Sequence, residues 1–400
     1  MAVRTRQGAE GAPAPIPAPC DVTIVAHDVG SVGGMERQLA ELVIGLRRLG
    51  HEVTVIARTC ALPPGERVTF HRVRGPARPV LFAYPWFMLA GSVVVFRHRR
   101  GVVQATGAIV LNRVDAIAVH YCHQVGPANP SRSNPLFRAH AKLAGALIRR
   151  AERICFGAGS STTFVCVSDG VADEMRSHYP QLGDRVLTIH NGVDTDSFAP
   201  GVRSEEARAL RAALNIEPAR LVAVFVGSEW GRKGLRAAIE AVALAPEWDL
   251  VVAGDGDREP YEQLAESLGI ARAVHWLGVT RDIQPVYELS DALVFPSSYE
   301  AFPLVALEAA ASGLPILATP VSGVRELISD GESGFLIGQD PRTIAERLAQ
   351  LAADPELRAR LGQGARASAL RFSWARMVRS HHELYSRLPA ASARADPSPS

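Results

Sequence analysis

Lysine is almost missing from this 400-residue chain: of 43 basic residues only Lys142 and Lys233 are lysine, and the rest are arginine. Cysteine is sparse too. Cys20, Cys60, Cys122, Cys155 and Cys166 are scattered and odd in number, with no CxxC pair or Cys/His cluster. That argues against a disulfide framework or a zinc site and fits a reducing, cytoplasmic setting. The glycine fingerprint GxGxxG is absent, which counts against a nicotinamide dehydrogenase. A formal net charge of +2 argues against a dedicated nucleic-acid binder. Residues 1–19 are Ala/Pro-rich without an apolar core region, so they read as a disordered tail and not a signal peptide; residues 389–400 are similar. The longest apolar run, Val80 to Phe96, contains Pro85 and Gly91 and falls short of the ~20 residues a bilayer span needs. It is expected to be a buried helix, with shallow membrane contact as the minor reading.

What is present is a globular composition, 47% hydrophobic and 21% charged. Residues 1–199 hold 22 basic and 15 acidic residues, which leaves 21 and 26 for the remainder, so the halves carry about +7 and −5. A basic first half could face an anionic partner such as a membrane surface, or could simply be an uneven solvated surface. Apolar β-rich runs alternate with amphipathic helices. DVTIVAHDV (21–29), a glycine-bearing loop, the helix MERQLAELVIGLRRLG (35–50) and EVTVIA (52–57) form a βαβ unit. VVQAT (102–106), AIAVHYC (116–122) and FVCVS (164–168) continue the pattern. LVAVFVG (221–227) restarts it, followed by DLVVAG (249–254), AVHWLG (273–278), ALVFP (292–296) and PILAT (315–319). Two α/β domains with parallel sheets fit better than one, joined near IHNGVDTDSFAP (189–200). The helix SWARMVRSHHELYSRL (373–388) comes last, and the helix 138–154 is expected to turn an amphipathic face to the core.

In open parallel sheets, ligands bind beyond the carboxyl ends of the strands, and the unusual residues cluster there. In SSYEAFPLVALEAAASGLP (297–315), Glu308 lies on a helix with almost no polar face, with Pro303 suited to the first helical position. A buried carboxylate needs donors, and a ribose diol offers two hydroxyls to its two oxygens. Glu300 stands at the helix mouth. The structural alternative is that Glu300 caps the helix and Glu308 meets an internal arginine. In FVGSEWGRKG (225–234), Arg232 and Lys233 follow a strand and precede a helix, where a compact ammonium suits a phosphate; a solvated loop charge is the alternative. Gly30, Gly33 and Gly34 in HDVGSVGGMER permit close backbone approach at a helix start. His120 and His123 lie at or just beyond a strand end. Asp255 and Asp257 in AGDGD could hold a metal–diphosphate, but turn chemistry explains them better.

These motifs together resemble glycosyltransferase family 4. Glu300 and Glu308 are separated by seven residues and followed by Ala-Ser-Gly-x-Pro, Gly-x-x-Glu-x-Ile and Gly-x-x-Gly-Phe-Leu; RKG, GGMER, VSDGV (167–171) and NGVD (191–194) match as well. The likeness covers most of residues 20–388 and is most specific in the second half. It implies a GT-B fold: two Rossmann-like domains, 20–195 and 196–372, with parallel sheets facing across a cleft and the helix 373–388 returning to the first. The first would take the acceptor and the second the nucleotide-sugar donor. Carried over to this chain, Arg232 and Lys233 would bind the donor diphosphate, and Glu308 the ribose hydroxyls. Glu300 would contact the transferred sugar, with Gly33 and Gly34 near the phosphates and Phe302 and Leu304 lining the donor site. His120 would be the active-site histidine, with His123 as the other candidate. Ala301 stands where the family commonly has glycine. The resemblance implies a retaining, metal-independent transferase without a cofactor, using a nucleotide-diphosphate sugar and a hydroxyl acceptor, in the cytoplasm or peripheral at the inner membrane face. The rival reading is a non-catalytic nucleotide-sugar-binding protein.

Overall fold

The computed structural model of the protein describes residues 18–31, 33–125, 135–157, 161–201 and 203–388. All but residues 18 and 19 of the expected tails 1–19 and 389–400 lie outside the described residues. The chain forms two parallel sheets. The first has seven strands: β1 (Asp21–Val25), β2 (Glu52–Ala57), β3 (Thr69–Arg72), β4 (Val102–Thr106), β5 (Ala116–Val119), β6 (Thr163–Cys166) and β7 (Val186–Thr188), in the order β3-β2-β1-β4-β5-β6-β7. The second has six: β8 (Leu221–Val226), β9 (Trp248–Ala253), β10 (Val274–Gly278), β11 (Ala292–Phe295), β12 (Ile316–Ala318) and β13 (Gly334–Leu336), in the order β10-β9-β8-β11-β12-β13. Both orders start from a central strand, wind outward to one edge, then cross to the other. Both therefore place a topological switch point beside their first strand, β1 or β8.

The central strands are continuous apolar runs because helices cover both faces of each sheet. Every residue of β4, β5, β9 and β11 is buried. The three strands without a sequence signal, β3, β7 and β13, are edge strands of three or four residues. The run 21–29, expected as one strand, breaks after Val25, and Asp28–Val29 pairs separately with Thr59–Cys60.

The helix Trp374–Arg387 leaves the second domain and packs on Gly34–Arg48 of the first. Contact is close at Gly45, where a Cβ would stand 2.3 Å from Val378. Tyr385 donates to Gln104 of β4 at 2.9 Å, and His382 Nδ1 lies 2.7 Å from His51 Nε2. The helix Pro135–Cys155 turns Ala144 and Ala151 inward, as an amphipathic core-facing helix should.

One expectation is overturned. Val80–His98 is a helix, but only 28% of its most apolar 18-residue window is buried. Ala83, Tyr84, Phe87, Met88, Gly91 and Val95 face the sheet, while Phe82, Trp86, Leu89, Val93 and Phe96 face outward. The helix is long and apolar enough by length and composition to cross a membrane. It is nevertheless a flank of the first domain, tied down by the Tyr84 hydroxyl donating to Ala108 O (2.6 Å). Its near-uniform apolarity hid which side the sheet would cover.

Candidate active site

The second domain supplies a charged wall at the ends of β8 and β11. After β8, Gly227 (φ 139°) lets the stem of Lys233 cross over it; a Cβ there would sit 2.6 Å from Lys233 Cδ. The one-turn helix Trp230–Lys233 opens on Glu229 and closes on Gly234, both left-handed, and this places Arg232 and Lys233 side by side. After β11, Ser297 and Glu300 meet them. Glu300 Oε1 accepts from Lys233 Nζ at 2.9 Å, Arg232 Nη1 at 3.1 Å and Ser297 Oγ at 3.0 Å. Arg232 is fixed further by Glu229 (2.9 Å) and by the Tyr299 carbonyl. Lys233 Nζ also lies 4.8 Å from the Phe295 ring centroid. Lys233 and Glu300 side chains are only 12% and 13% exposed, so these charges interact with little solvent screening.

Glu308 occupies the middle of the helix Leu304–Ala311, and Pro303 is its N-cap rather than its first helical residue. The carboxylate is buried. Oε1 takes Arg37 Nη1 at 2.5 Å, and Oε2 takes the Tyr287 hydroxyl at 3.0 Å. Burial pushes its pKa above the usual carboxylate range, and Arg37 and Tyr287 pull it partway back. The arginine of the structural alternative therefore exists, but it reaches across from the first domain. Arg37 lies in the first turns of Gly34–Arg48, next to the glycine pair.

On the opposing side, Gly33 (φ 93°) caps that helix, with the Glu36 carboxylate folded over it. Gly34 faces Leu304 across the cleft, and a Cβ on Gly34 would meet Leu304 Cδ1 at 3.8 Å. Leu304 thus packs between the two domains. Phe302 is buried in a cluster with His190 and Phe372, at 5.5 Å from each ring. His120 follows β5; its Nε2 lies 3.2 Å from Gln38 Oε1, and its Nδ1 is buried without a hydrogen-bond partner among the described residues. Desolvation, reinforced by His381, pushes its pKa down to about 4, so the ring is neutral at pH 7. His123 is engaged within its own domain: Glu152 Oε1 is 2.6 Å from its Nδ1 and accepts from its backbone N–H at 3.3 Å. Asp255 and Asp257 stand exposed on the turn after β9.

Sequence reasoning gave no role to Ser297, Tyr287, Tyr299 or Arg37. Tyr299 donates to Glu174 of the first domain at 3.2 Å and its ring meets Tyr121 at 4.9 Å. Arg37 was legible only as part of GGMER. Tyr287 lies 21 residues before Glu308, with no local pattern linking them. At the far side of the junction, Glu326 accepts from the Asp169 and Gly170 backbone amides (3.0 and 3.3 Å) and lies 2.6 Å from His190 Nε2. Burial alone would raise the Glu326 pKa, but these partners bring it below the ordinary value.

Residues 206–368 match the family described as glycosyl transferases group 1, and residues 32–197 match Glycosyltransferase Family 4. D-inositol 3-phosphate glycosyltransferase 2 of Catenulispora acidiphila is 31% identical over 412 residues, 90% of this chain and 91% of that one. The D-inositol 3-phosphate glycosyltransferase of Corynebacterium urealyticum is 34% identical over 237 residues. In that match the chain spans about half the relative's length, 56% of each. Among solved structures, WaaG, a glycosyltransferase involved in lipopolysaccharide biosynthesis, has a TM-score of 0.77 at 22% identity over 92% of this chain and all of that one. Anabaena HepE in complex with UDP-glucose has a TM-score of 0.69 at 20% identity, covering 92% and 100%. These similarities and the paired sheets make the chain a GT-B protein belonging to glycosyltransferase family 4.

Proposed function

We propose that the protein transfers a sugar from a nucleotide-diphosphate sugar to a hydroxyl acceptor with retention of configuration. The observation that carries this is the charged wall itself: two cations fixed side by side at the end of β8, already holding one anionic oxygen, that of Glu300. A donor diphosphate is a better-matched anion for the same donors. As the glycosidic bond breaks, charge grows on the departing diphosphate, and Arg232 and Lys233 stabilise it from preset positions. Glu300, released from part of this pairing, contacts the sugar. Glu308 takes the ribose hydroxyls in place of Arg37. His120, neutral and with its Nδ1 unpartnered among the described residues, is a better candidate than His123 for a hydrogen bond to the reacting sugar. The acceptor oxygen attacks from the face the diphosphate leaves, and its proton goes to the departing phosphate.

The HepE complex with UDP-glucose supports a nucleotide-sugar donor. With two protein cations supplying the counter-charge, the reaction needs neither metal nor cofactor. The five unpaired thiols fit a cytoplasmic protein, and the basic first half fits peripheral contact at the inner membrane face, where a lipid-linked acceptor would lie. The test is a thermal-shift screen against nucleotide sugars, followed by turnover of the best donor. Lys233→Ala should lower kcat about 10²–10³-fold with folding intact. Near-wild-type kinetics in that variant would reject the role, and donor binding with neither transfer nor hydrolysis would leave a non-catalytic binding protein.

A further inference from the structure

The outward face of Val80–His98 is a feature that the cleft does not use. Phe82, Trp86, Leu89, Val93 and Phe96 recur at alternating intervals of four and three, so they form one stripe about 21 Å long. Phe82 is 71% exposed, Leu89 62% and Phe96 74%. A helix that packs its other face on a sheet has no folding reason to carry such a stripe in water. Contiguous apolar patches of this kind mark contact surfaces. Leu111 (52% exposed) extends the patch, because its backbone N–H is held by Ser92 Oγ at 2.8 Å.

The charge around the stripe says what covers it. From residue 67 to residue 114 the chain has no Asp or Glu and eight arginines. Arg74 and Arg78 precede the helix, Arg97 lies in its last turn, and Arg99 and Arg100 follow it, all exposed. A second copy of the chain would bring the same arginines against their counterparts, and the like charges would repel. An anionic surface with an apolar interior satisfies both features at once, and aromatic residues are suited to its interface.

We propose that this face docks the protein on an anionic lipid bilayer, the helix lying in the interfacial plane with its arginines on the headgroups. The topology gives the docking a direction. The helix connects β3 to β4, two parallel strands, and therefore runs against them, with its first turns at the carboxyl ends of the strands. His27, just beyond β1, lies 4.4 Å from the Phe87 ring and 6.1 Å from that of Tyr84. One end of the stripe thus lies on the cleft side of the domain, which lets a hydroxyl carried by a lipid headgroup reach the site without leaving the membrane. This deepens the membrane-bound acceptor of the proposed function, yet uses no residue of the cleft. Vesicle binding tests the docking and donor turnover tests the transferase, so either can fail alone.

The experiment is sedimentation of the full chain with phosphatidylcholine vesicles, with and without phosphatidylglycerol, at low and high salt. Anionic vesicles should bind at least about tenfold tighter, and salt should weaken the binding. The combined Phe82→Ser, Leu89→Ser and Phe96→Ser variant should lose about tenfold or more of that affinity, with its thermal unfolding and soluble donor turnover unchanged. Arg97→Gln with Arg99→Gln should weaken binding to anionic vesicles only. In the unaltered protein, lipids brominated on the acyl chains should quench part of the tryptophan fluorescence through Trp86, a readout that needs no variant. Equal binding to neutral vesicles, full binding by the serine variant, or absence of quenching would overturn the proposal. So would a dimer in solution that the serine substitutions dissociate, which would make this face a contact between copies.

Discussion

The two domains share a strand order and differ in almost everything laid over it. The second is acidic and concentrates its cleft-facing charges on the segments after β8 and β11. The first is basic, leaves a long apolar helix half uncovered, and offers the cleft backbone, an arginine and a neutral histidine. One winding pattern therefore puts loop segments at the same place twice, and side chains alone make the two sides of the cleft differ in charge.

The sharpest way to break that division is at Glu308. Glu308→Gln keeps the shape but replaces a charged acceptor with a neutral one. It should raise the donor KM about 10–100-fold while changing kcat less, as expected for losing charge-assisted hydrogen bonds. An unchanged KM would mean that Glu308 serves only its contacts with Arg37 and Tyr287. The two domains should also separate under acid. His27, His120 and His381 lie in the first domain or on the helix that completes it, and desolvation leads each shift, to about 4. A lowered histidine pKa means that the unfolded chain takes the proton first. This stability is complete above about pH 6.5 and drains away as the pH falls toward 4. In the second domain, Asp249 resists its own desolvation through His275 and Arg220 and is lowered, so its contribution persists until the pH falls below the ordinary aspartate value near 4. Hydrogen exchange at pH 7 and 5, corrected for intrinsic rates, should show β1 and β4 losing protection before β8 and β9. Simultaneous loss would mean the domains unfold as one unit.

A smaller effect is expected at the contact between domains. Arg37→Ala leaves Glu308 to Tyr287 alone. Because the Arg37 side chain is 28% exposed, the loss should be about 1–3 kcal/mol rather than that of a sealed pair. A nucleoside diphosphate should then raise the melting temperature more in the variant than in the parent, since its ribose would supply the missing donors. The smallest expected change is none: chelation with EDTA should leave turnover unaltered, and a loss restored by a divalent cation would remove the metal-independent mechanism.

Much of the second domain was legible because its chemistry is local. Arg232 and Lys233 follow one strand, and Glu300 and Glu308 lie within one loop and helix, so spacing in the chain stands in for spacing in space. Two parallel sheets were legible for a similar reason, since buried central strands must be continuous apolar runs. What escaped was whatever depends on distant partners. Arg37 and Tyr287 meet Glu308 from 271 and 21 residues away. Short edge strands such as β3 draw their stability from one neighbour, not from their own composition. Val80–His98 misled for the opposite reason. A helix apolar on every side carries no mark of which side will be covered, and here one side is not.

The helix Trp374–Arg387 has a consequence for how the molecule is made. The strands of the first sheet are complete by residue 188, yet the flank of Gly34–Arg48 that receives Met377, Val378 and Tyr385 stays open until almost 200 further residues have been synthesised. The half that begins first is therefore finished last, and the second domain, threaded between, can close before its elder. A chain cut after residue 372 would release a whole second domain attached to a first domain with a greasy wound along its side.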